Sequence, residues 1–280
     1  MSEDVRSRYS APAAGCAADL LLALARSHSP LSIATLTERT GCTKSLVYRV
    51  LVELEARDYV TKLPGGSYWL GLAVVELGGA FSVSVPLMSS VRGVLRRLAD
   101  ATGETANLGM LHGDQVLYLM REDGARSIFA VSHVGKLLPA NSVALGKALL
   151  AERSEAEIRA IFAARLDGGA GLSGLTAKTI TSFDELLRDL ALVRERGYAE
   201  EHGEAVPGRC CAAVAAPFGQ PNIETVAISV SMDESRFHET RVTVLERLFE
   251  ARDQVAREAQ GRAAIGDPLS PTEVVMESLS

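Results

Sequence analysis

Apolar residues recur at helical spacing through the first quarter of the chain. From Ala17 onward, Leu20, Leu21, Leu24 and Ala25 fall on one face. Ser29-Pro30 stops that helix. Ser32 suits the N-cap of a second helix, Ile33 to Thr40, with Ile33 and Leu36 as its apolar side and Gly41 at a left-handed cap position. A third helix follows Thr43, and its stripe is Leu46, Val47, Val50, Leu51 and Leu54. Only Gly41-Cys42 separates the second helix from the third, the tight joint of a helix-turn-helix. Two short β-prone runs, Tyr59 to Leu63 and Ser67 to Leu70, flank Pro64-Gly65-Gly66 and read as a hairpin. Three helices and a hairpin predict a winged helix over residues 14–71, preceded by a loose arm at 1–13.

Farther on, the pattern mixes periods. Leu72 to Phe81 reads as a linker helix within a linker at 72–86, and Leu87 to Thr102 as an amphipathic helix ended by Gly103. Thr105 to Leu111 and Gln115 to Arg121 flank His112-Gly113-Asp114 as a hairpin, and Ser127 to His133 is a third strand. A helix covers Val143 to Glu152. Ser154 with Glu157, and Ser182 with Glu185, mark two further helix starts. Cys210 to Phe218 and Thr225 to Met232 are apolar strands, and Glu234 to Arg262 is a long terminal helix. The sum is an α+β fold: an N-terminal winged helix, a linker helix, a second α+β domain over 87–262 and a disordered tail at 263–280.

Length and charge narrow the function. A chain of 280 residues suits two domains. No apolar run is long enough for a membrane helix, and Met1 to Ala13 lacks the apolar core of a signal peptide, so a cytoplasmic protein is expected. The four cysteines form no C-x-x-C pair, and neither a disulfide framework nor a metal clamp is expected. The net charge of −6 excludes a uniformly basic surface. Through residue 80, eight basic residues balance eight acidic ones, so DNA binding demands that the charges be segregated.

The third helix offers such segregation. Thr43, Lys44, Ser45, Tyr48 and Arg49 stand at its start, where the helix dipole and free N–H groups favour phosphate. Glu53 and Glu55 come later, on the part expected to turn from DNA. Lys62, Ser67 and Tyr68 are placed on the hairpin, where a wing tracks the DNA backbone.

These segments resemble the IclR family of regulators. The resemblance is carried by Pro30-Leu31-Ser32, Gly41, Lys44-Ser45, Tyr48-Arg49, Leu54-Glu55, Tyr59-Val60 and Tyr68-x-Leu70-Gly71. It continues through Leu137-Leu138-Pro139, Ala144 to Leu150, Arg196 to Glu201, Ala215-Ala216-Pro217 and Ile228 to Ser231, covering roughly residues 14–262. It implies a winged helix joined to a GAF-like effector domain, dimers or dimers of dimers, and operator binding, here as a repressor. It also implies a small-acid pocket at Ala144, Leu145, Glu201, Cys211, Ser229 and Ser231. The cysteine register has two solutions: counting from Gly197 gives Cys211, and counting back from Ala215-Ala216-Pro217 gives Ala213. Both share a strand face.

The residues themselves support a pocket for a carboxylate. Ser229 and Ser231 alternate with Ile228 and Val230 and aim two hydroxyls at one face. Asn141 and Ser142, just before the Val143 helix, add donors beside its N-terminal N–H groups. Leu145 is bulky, which disfavours a two- or three-carbon acid, and a larger, aromatic acid is an equal alternative.

An enzyme is the competing class. The five histidines show no H-x-x-x-H spacing, Ser142 has no nucleophile elbow, and Gly168-Gly169-Ala170-Gly171 lacks the Lys-Ser/Thr of a phosphate loop. No catalytic residue, cofactor or metal is expected. A metal held by His112, His133 or His202 with Cys211, and a protein-interaction scaffold, are the remaining alternatives.

Overall fold

The computed structural model describes residues 11–27, 29–84, 87–127, 132–169, 171–220 and 223–265. Two compact units divide the chain between residues 85 and 86. Most of the expected arm, the core of the expected strand at Ser127 to His133 and nearly all of the expected tail lie outside the described residues.

In the first unit, α1 (Pro12–Ala25) starts earlier than its apolar stripe indicates, because Pro12 fits the first helical turn. Next come β1 (Leu31–Ser32), α2 (Ile33–Thr40) and α3 (Lys44–Glu55). Ser32 caps α2 by accepting from the Thr35 N–H at 3.2 Å. Gly41 ends α2 at φ 67°, a left-handed conformation that costs glycine nothing. The hairpin strands are β2 (Val60–Lys62) and β3 (Ser67–Leu70), and β1 adds itself to β3, giving the order β1-β3-β2. Leu20, Leu24, Leu36, Val47, Leu51, Val60 and Tyr68 fill the core. The linker helix, α4 (Ala73–Ser84), is shifted one residue at its start and runs three beyond Phe81.

The second unit is built on one antiparallel sheet, β6-β5-β4-β9-β8-β7. Its strands are β4 (Thr105–His112), β5 (Gln115–Glu122), β6 (Leu137–Pro139), β7 (Ala199–His202), β8 (Arg209–Gln220) and β9 (Ile223–Asp233). The hydrophobic pattern does not mark β6 or β7. In β7 a Glu200-Glu201-His202 run hides a strand whose two carboxylates are buried against partners. The helices are α5 (Leu87–Thr102), α6 (Ala144–Ala151), α7 (Glu155–Asp167), α8 (Phe183–Arg196) and α9 (Glu234–Ile265). Ser154 and Glu157 form the expected capping box on α7. One sheet face packs on α6 and α8 through Leu145, Leu149, Leu186, Leu190, Ala213 and Ala227. Helices α5 and α9 pack against each other and against the sheet through β4, β8 and β9.

Gly146 lets α6 lie on the 3-10 turn Ala140–Ser142 that precedes it. A Cβ there would stand 2.1 Å from the Ala140 carbonyl oxygen, closer than any side chain tolerates. No helix among the described residues is long and apolar enough to cross a membrane.

Candidate functional site

Two surfaces gather chemistry, one in each unit. On α3, Val47, Val50, Leu51 and Leu54 are buried, so the opposite face turns to solvent. Thr43, Lys44, Ser45, Tyr48 and Arg49 are all exposed. Tyr48 is 54% exposed, unusual for a large aromatic ring with no packing role. The charges are sorted along the helix. Glu53 pairs with Arg57, whereas Lys44, Arg49 and Lys62 form no ion pair among the described residues. Glu55 lies roughly 16 Å from Lys44 along the axis. The neutral unit therefore presents unspent cations at one end of α3.

The hairpin residues divide differently. Lys62 is exposed and Ser67 is half-buried, but Tyr68 is 1% exposed. Tyr68 faces inward because its neighbours in the sheet are Leu31 on one side and Lys62 on the other, over the core of α1 and α3. It is a core residue carrying Lys62 above its ring at 6.0 Å, not part of an outward surface.

In the second unit a cavity of about 190 Å³ opens on the sheet face covered by α6. Two cross-strand rows make its floor. One runs Glu201–Cys211–Ser231–Thr105 across β7, β8, β9 and β4. The next runs Ser229–Asn107–Arg121 across β9, β4 and β5. Leu138, Val143, Ala144 and Leu145 form the apolar wall. The loop between β7 and β8 closes one side with Ala205 and Val206.

The cavity thus collects Ala144, Leu145, Glu201, Cys211, Ser229 and Ser231. It does not collect Asn141, Ser142 or Ala213. The Asn141 amide donates to the Ser173 and Ile180 carbonyls, both at 2.8 Å, and the Ser142 hydroxyl donates to Ser173 O at 3.3 Å. These two side chains fasten the 171–181 segment. Ala213 is fully buried in the apolar cluster, so of the two register candidates Cys211 is the one that lines the cavity. Thr105, Asn107, Tyr118, Arg121 and Arg209 line the cavity without having been read from the sequence. Alternation along β8 would have found Arg209, two residues before Cys211, had the strand been started there. Nothing local marks Arg121, which arrives by pairing with Asn107.

The cavity's electrostatics are set by burial. Burial raises the Glu201 carboxyl above its ordinary pKa, against the pull of a hydrogen bond with Cys211 and of the Glu204 and Ala205 N–H groups at 2.8 and 3.3 Å. Burial also pushes the Cys211 thiol well up, helped by the neighbouring Glu201 charge. The Tyr118 hydroxyl is raised the same way. Behind the loop, Lys147 is 1% exposed and reaches Glu204 at 2.6 Å and Asp189 at 3.0 Å.

On the far sheet face the His202 Nδ1 lies 3.3 Å from Cys210 Sγ, and its Nε2 lies 3.6 Å from Glu200. The arrangement has the order of a thiol, a base and an orienting carboxylate. It is not a nucleophile, because Cys210 is fully buried and burial pushes its thiol up to about 12. No three metal-ligating side chains converge among the described residues.

Comparison with known families matches these two units separately. Residues 17–64 match the IclR helix-turn-helix domain, and residues 80–257 match the bacterial transcriptional regulator IclR C-terminal domain. The chain belongs to the IclR family. Among its relatives is the HTH-type transcriptional regulator KdgR of Escherichia coli, 34% identical over 214 residues, 76% of this chain and 79% of KdgR. The IclR-family regulator of Alicyclobacillus acidocaldarius has the same fold, with a TM-score of 0.77 at 29% identity over 90% of this chain and all of that one. A third similar structure is an IclR homologue of Microbacterium hydrocarbonoxydans complexed with 4-hydroxybenzoate. It has a TM-score of 0.74 at 19% identity, covering 89% of this chain and 99% of that one. Family membership makes the chain a DNA-binding transcriptional regulator, as its relatives are, with an effector-binding C-terminal domain.

Proposed function

We propose that this IclR-family regulator is a cytoplasmic repressor. Its α3 reads an operator, and its operator affinity answers to an organic acid held in the 190 Å³ cavity. The carrying observation for DNA is the uncovered start of α3, with Thr43, Lys44, Ser45, Tyr48 and Arg49 outward and their cations unspent. Arg49 and Ser45 have the chemistry to reach base edges, and Lys44 and Lys62 to reach phosphate, with Ser67 beside the wing. On this reading residues 14–71 bind DNA, 72–86 link, and 87–262 bind effector.

For the acid, the support is a cavity whose floor carries hydroxyls, a thiol, an amide, the Arg121 guanidinium and the Glu201 carboxyl, its pKa raised by burial, and whose wall is Leu138, Val143 and Leu145. No side chain caps the N-terminus of α6 beside it. The 4-hydroxybenzoate complex of the Microbacterium homologue agrees with an aromatic acid as one acceptable class. Self-association as a dimer or dimer of dimers is supported by Leu72, Val75 and Leu77, which are 80%, 70% and 56% exposed on and beside α4. Two copies also double the phosphate contacts of a neutral unit.

The test is fluorescence anisotropy with DNA from the promoter upstream of the chain's own reading frame. Specific binding that falls steeply with salt is expected, and a bound acid should shift affinity about 5–150-fold. Binding that ignores salt overturns the DNA reading. Unchanged operator affinity at saturating acid overturns the regulatory link for that acid.

A further inference from the structure

We propose that Arg209 is the anion anchor of the cavity. Its guanidinium takes the carboxylate of the bound acid, whose body then lies toward Leu138 and Leu145. This rests on the organic-acid reading above and adds which group holds the charge and which way round the ligand lies.

Two guanidiniums line the cavity, and they are not equivalent. Arg121 is spent. Its Nε lies 3.1 Å and its Nη2 2.5 Å from Asp123 Oδ1, and its Nη1 donates to the Ser132 carbonyl at 2.6 Å. Arg209 is not. Its side chain is 19% exposed, yet its one partner among the described residues is Asp233, 3.2 Å from Nη1. A guanidinium has five N–H donors. Four of them therefore remain on a cation that lines the cavity. A planar carboxylate fits the free fork in bidentate fashion.

The floor supplies a second, independent argument for direction. Along that face of β8 the order is Arg209, Cys211, Ala213, Ala215, and the first two line the cavity. The partners of the last three on β9 are Ser231, Ser229 and Ala227, and on β4 these pair with Thr105, Asn107 and Gly109. All three strands change in the same direction, from charged or hydroxylated to small and apolar. A ligand with one charged end and one apolar end matches that gradient in one orientation only. Its middle passes over Ser229 and Ser231, so hydroxyls placed there would be satisfied. An acid held instead by the serines and the start of α6 would leave the Arg209 fork empty.

The test uses the full-length protein and isothermal titration calorimetry with pyruvate, succinate, gluconate and 4-hydroxybenzoate, each against its uncharged amide. At least one acid is expected to bind the wild type at least about tenfold more tightly than its amide. Arg209→Gln should weaken that acid by about 10–150-fold and bring acid and amide to near equality. Arg209→Lys should keep part of the preference, because it retains the charge without the fork. Asp233→Asn removes the charge of the present partner of Arg209 and should leave acid binding equal or tighter. A merely structural Arg209 would lower the melting temperature without touching the acid-over-amide ratio, and that result overturns the anchor. So does full acid preference in Arg209→Gln with loss of preference in Ser229→Ala, an outcome that leaves the acid reading standing. If Arg209→Gln does not fold, Arg209→Lys decides alone, and an unchanged ratio there counts against the proposal. Failure of every acid to bind the wild type overturns both readings together.

Discussion

The two units of this chain keep their chemistry on opposite sides of their surfaces. The first turns it outward: the five polar positions at the start of α3 are exposed and rest on a purely apolar core. The second turns it inward: Glu201, Ser229, Asn107, Thr105 and Lys147 are all buried. The difference follows from partner size. A duplex groove comes to a protruding helix, whereas a small ligand has to be enclosed to displace enough water. Outward chemistry is nearly free of folding cost, and inward chemistry is bound up with stability. Substitutions in the first unit should therefore separate function from stability, and those in the second should not.

The sharpest way to break this contrast is Lys147→Ala. It leaves Glu204 and Asp189 facing each other without their cation. Loss of one partner from a buried ion group costs about 3–5 kcal/mol, read as an earlier unfolding transition of the second unit in urea. A wild-type transition would show that the buried charge is not structural. Next in size, Arg49→Ala should weaken operator binding about 5–150-fold while changing stability by less than about 0.5 kcal/mol. Normal operator binding by that variant removes Arg49 from the interface, and a large stability loss removes the contrast. Smallest is a pH effect at His202, which is partly solvent-exposed. Hydrogen bonding to Glu200 raises its pKa above 6.5 in the folded state. Its stabilising contribution is then complete below pH 6.5 and fades as pH rises through the higher folded value. His202→Gln should flatten that part of the melting temperature's pH dependence, and an identical slope in both proteins would refute the pairing.

The same contrast explains what was legible beforehand. The α3 stripe is written in local sequence at a 3.6-residue period, so its buried and exposed faces could both be assigned. Tyr68 could not, because a four-residue strand gives no way to choose which side faces the core. That choice is made by β1, a two-residue strand whose Leu31 pairs with Tyr68 from 37 positions away. In the cavity, Ser229 and Ser231 were readable from alternation, and Leu145 and Glu201 from resemblance. Arg121, Thr105 and Asn107 depend on register between β4, β5 and β9, which no local pattern encodes. Asn141 and Ser142 precede a helix, a position that in sequence suggests ligand donors. The 171–181 segment claims them instead, and only tertiary structure reveals that claim.

The buried thiol of Cys211 carries a consequence for what this sensor ignores. A sulfur held as neutral S–H is a poor target for peroxides and alkylating electrophiles, which attack the thiolate. Cys210 and Cys16 are silenced in the same way, each pushed up to about 12 chiefly by burial. Thiolate chemistry at the cavity is therefore disfavoured by the same burial that shapes it.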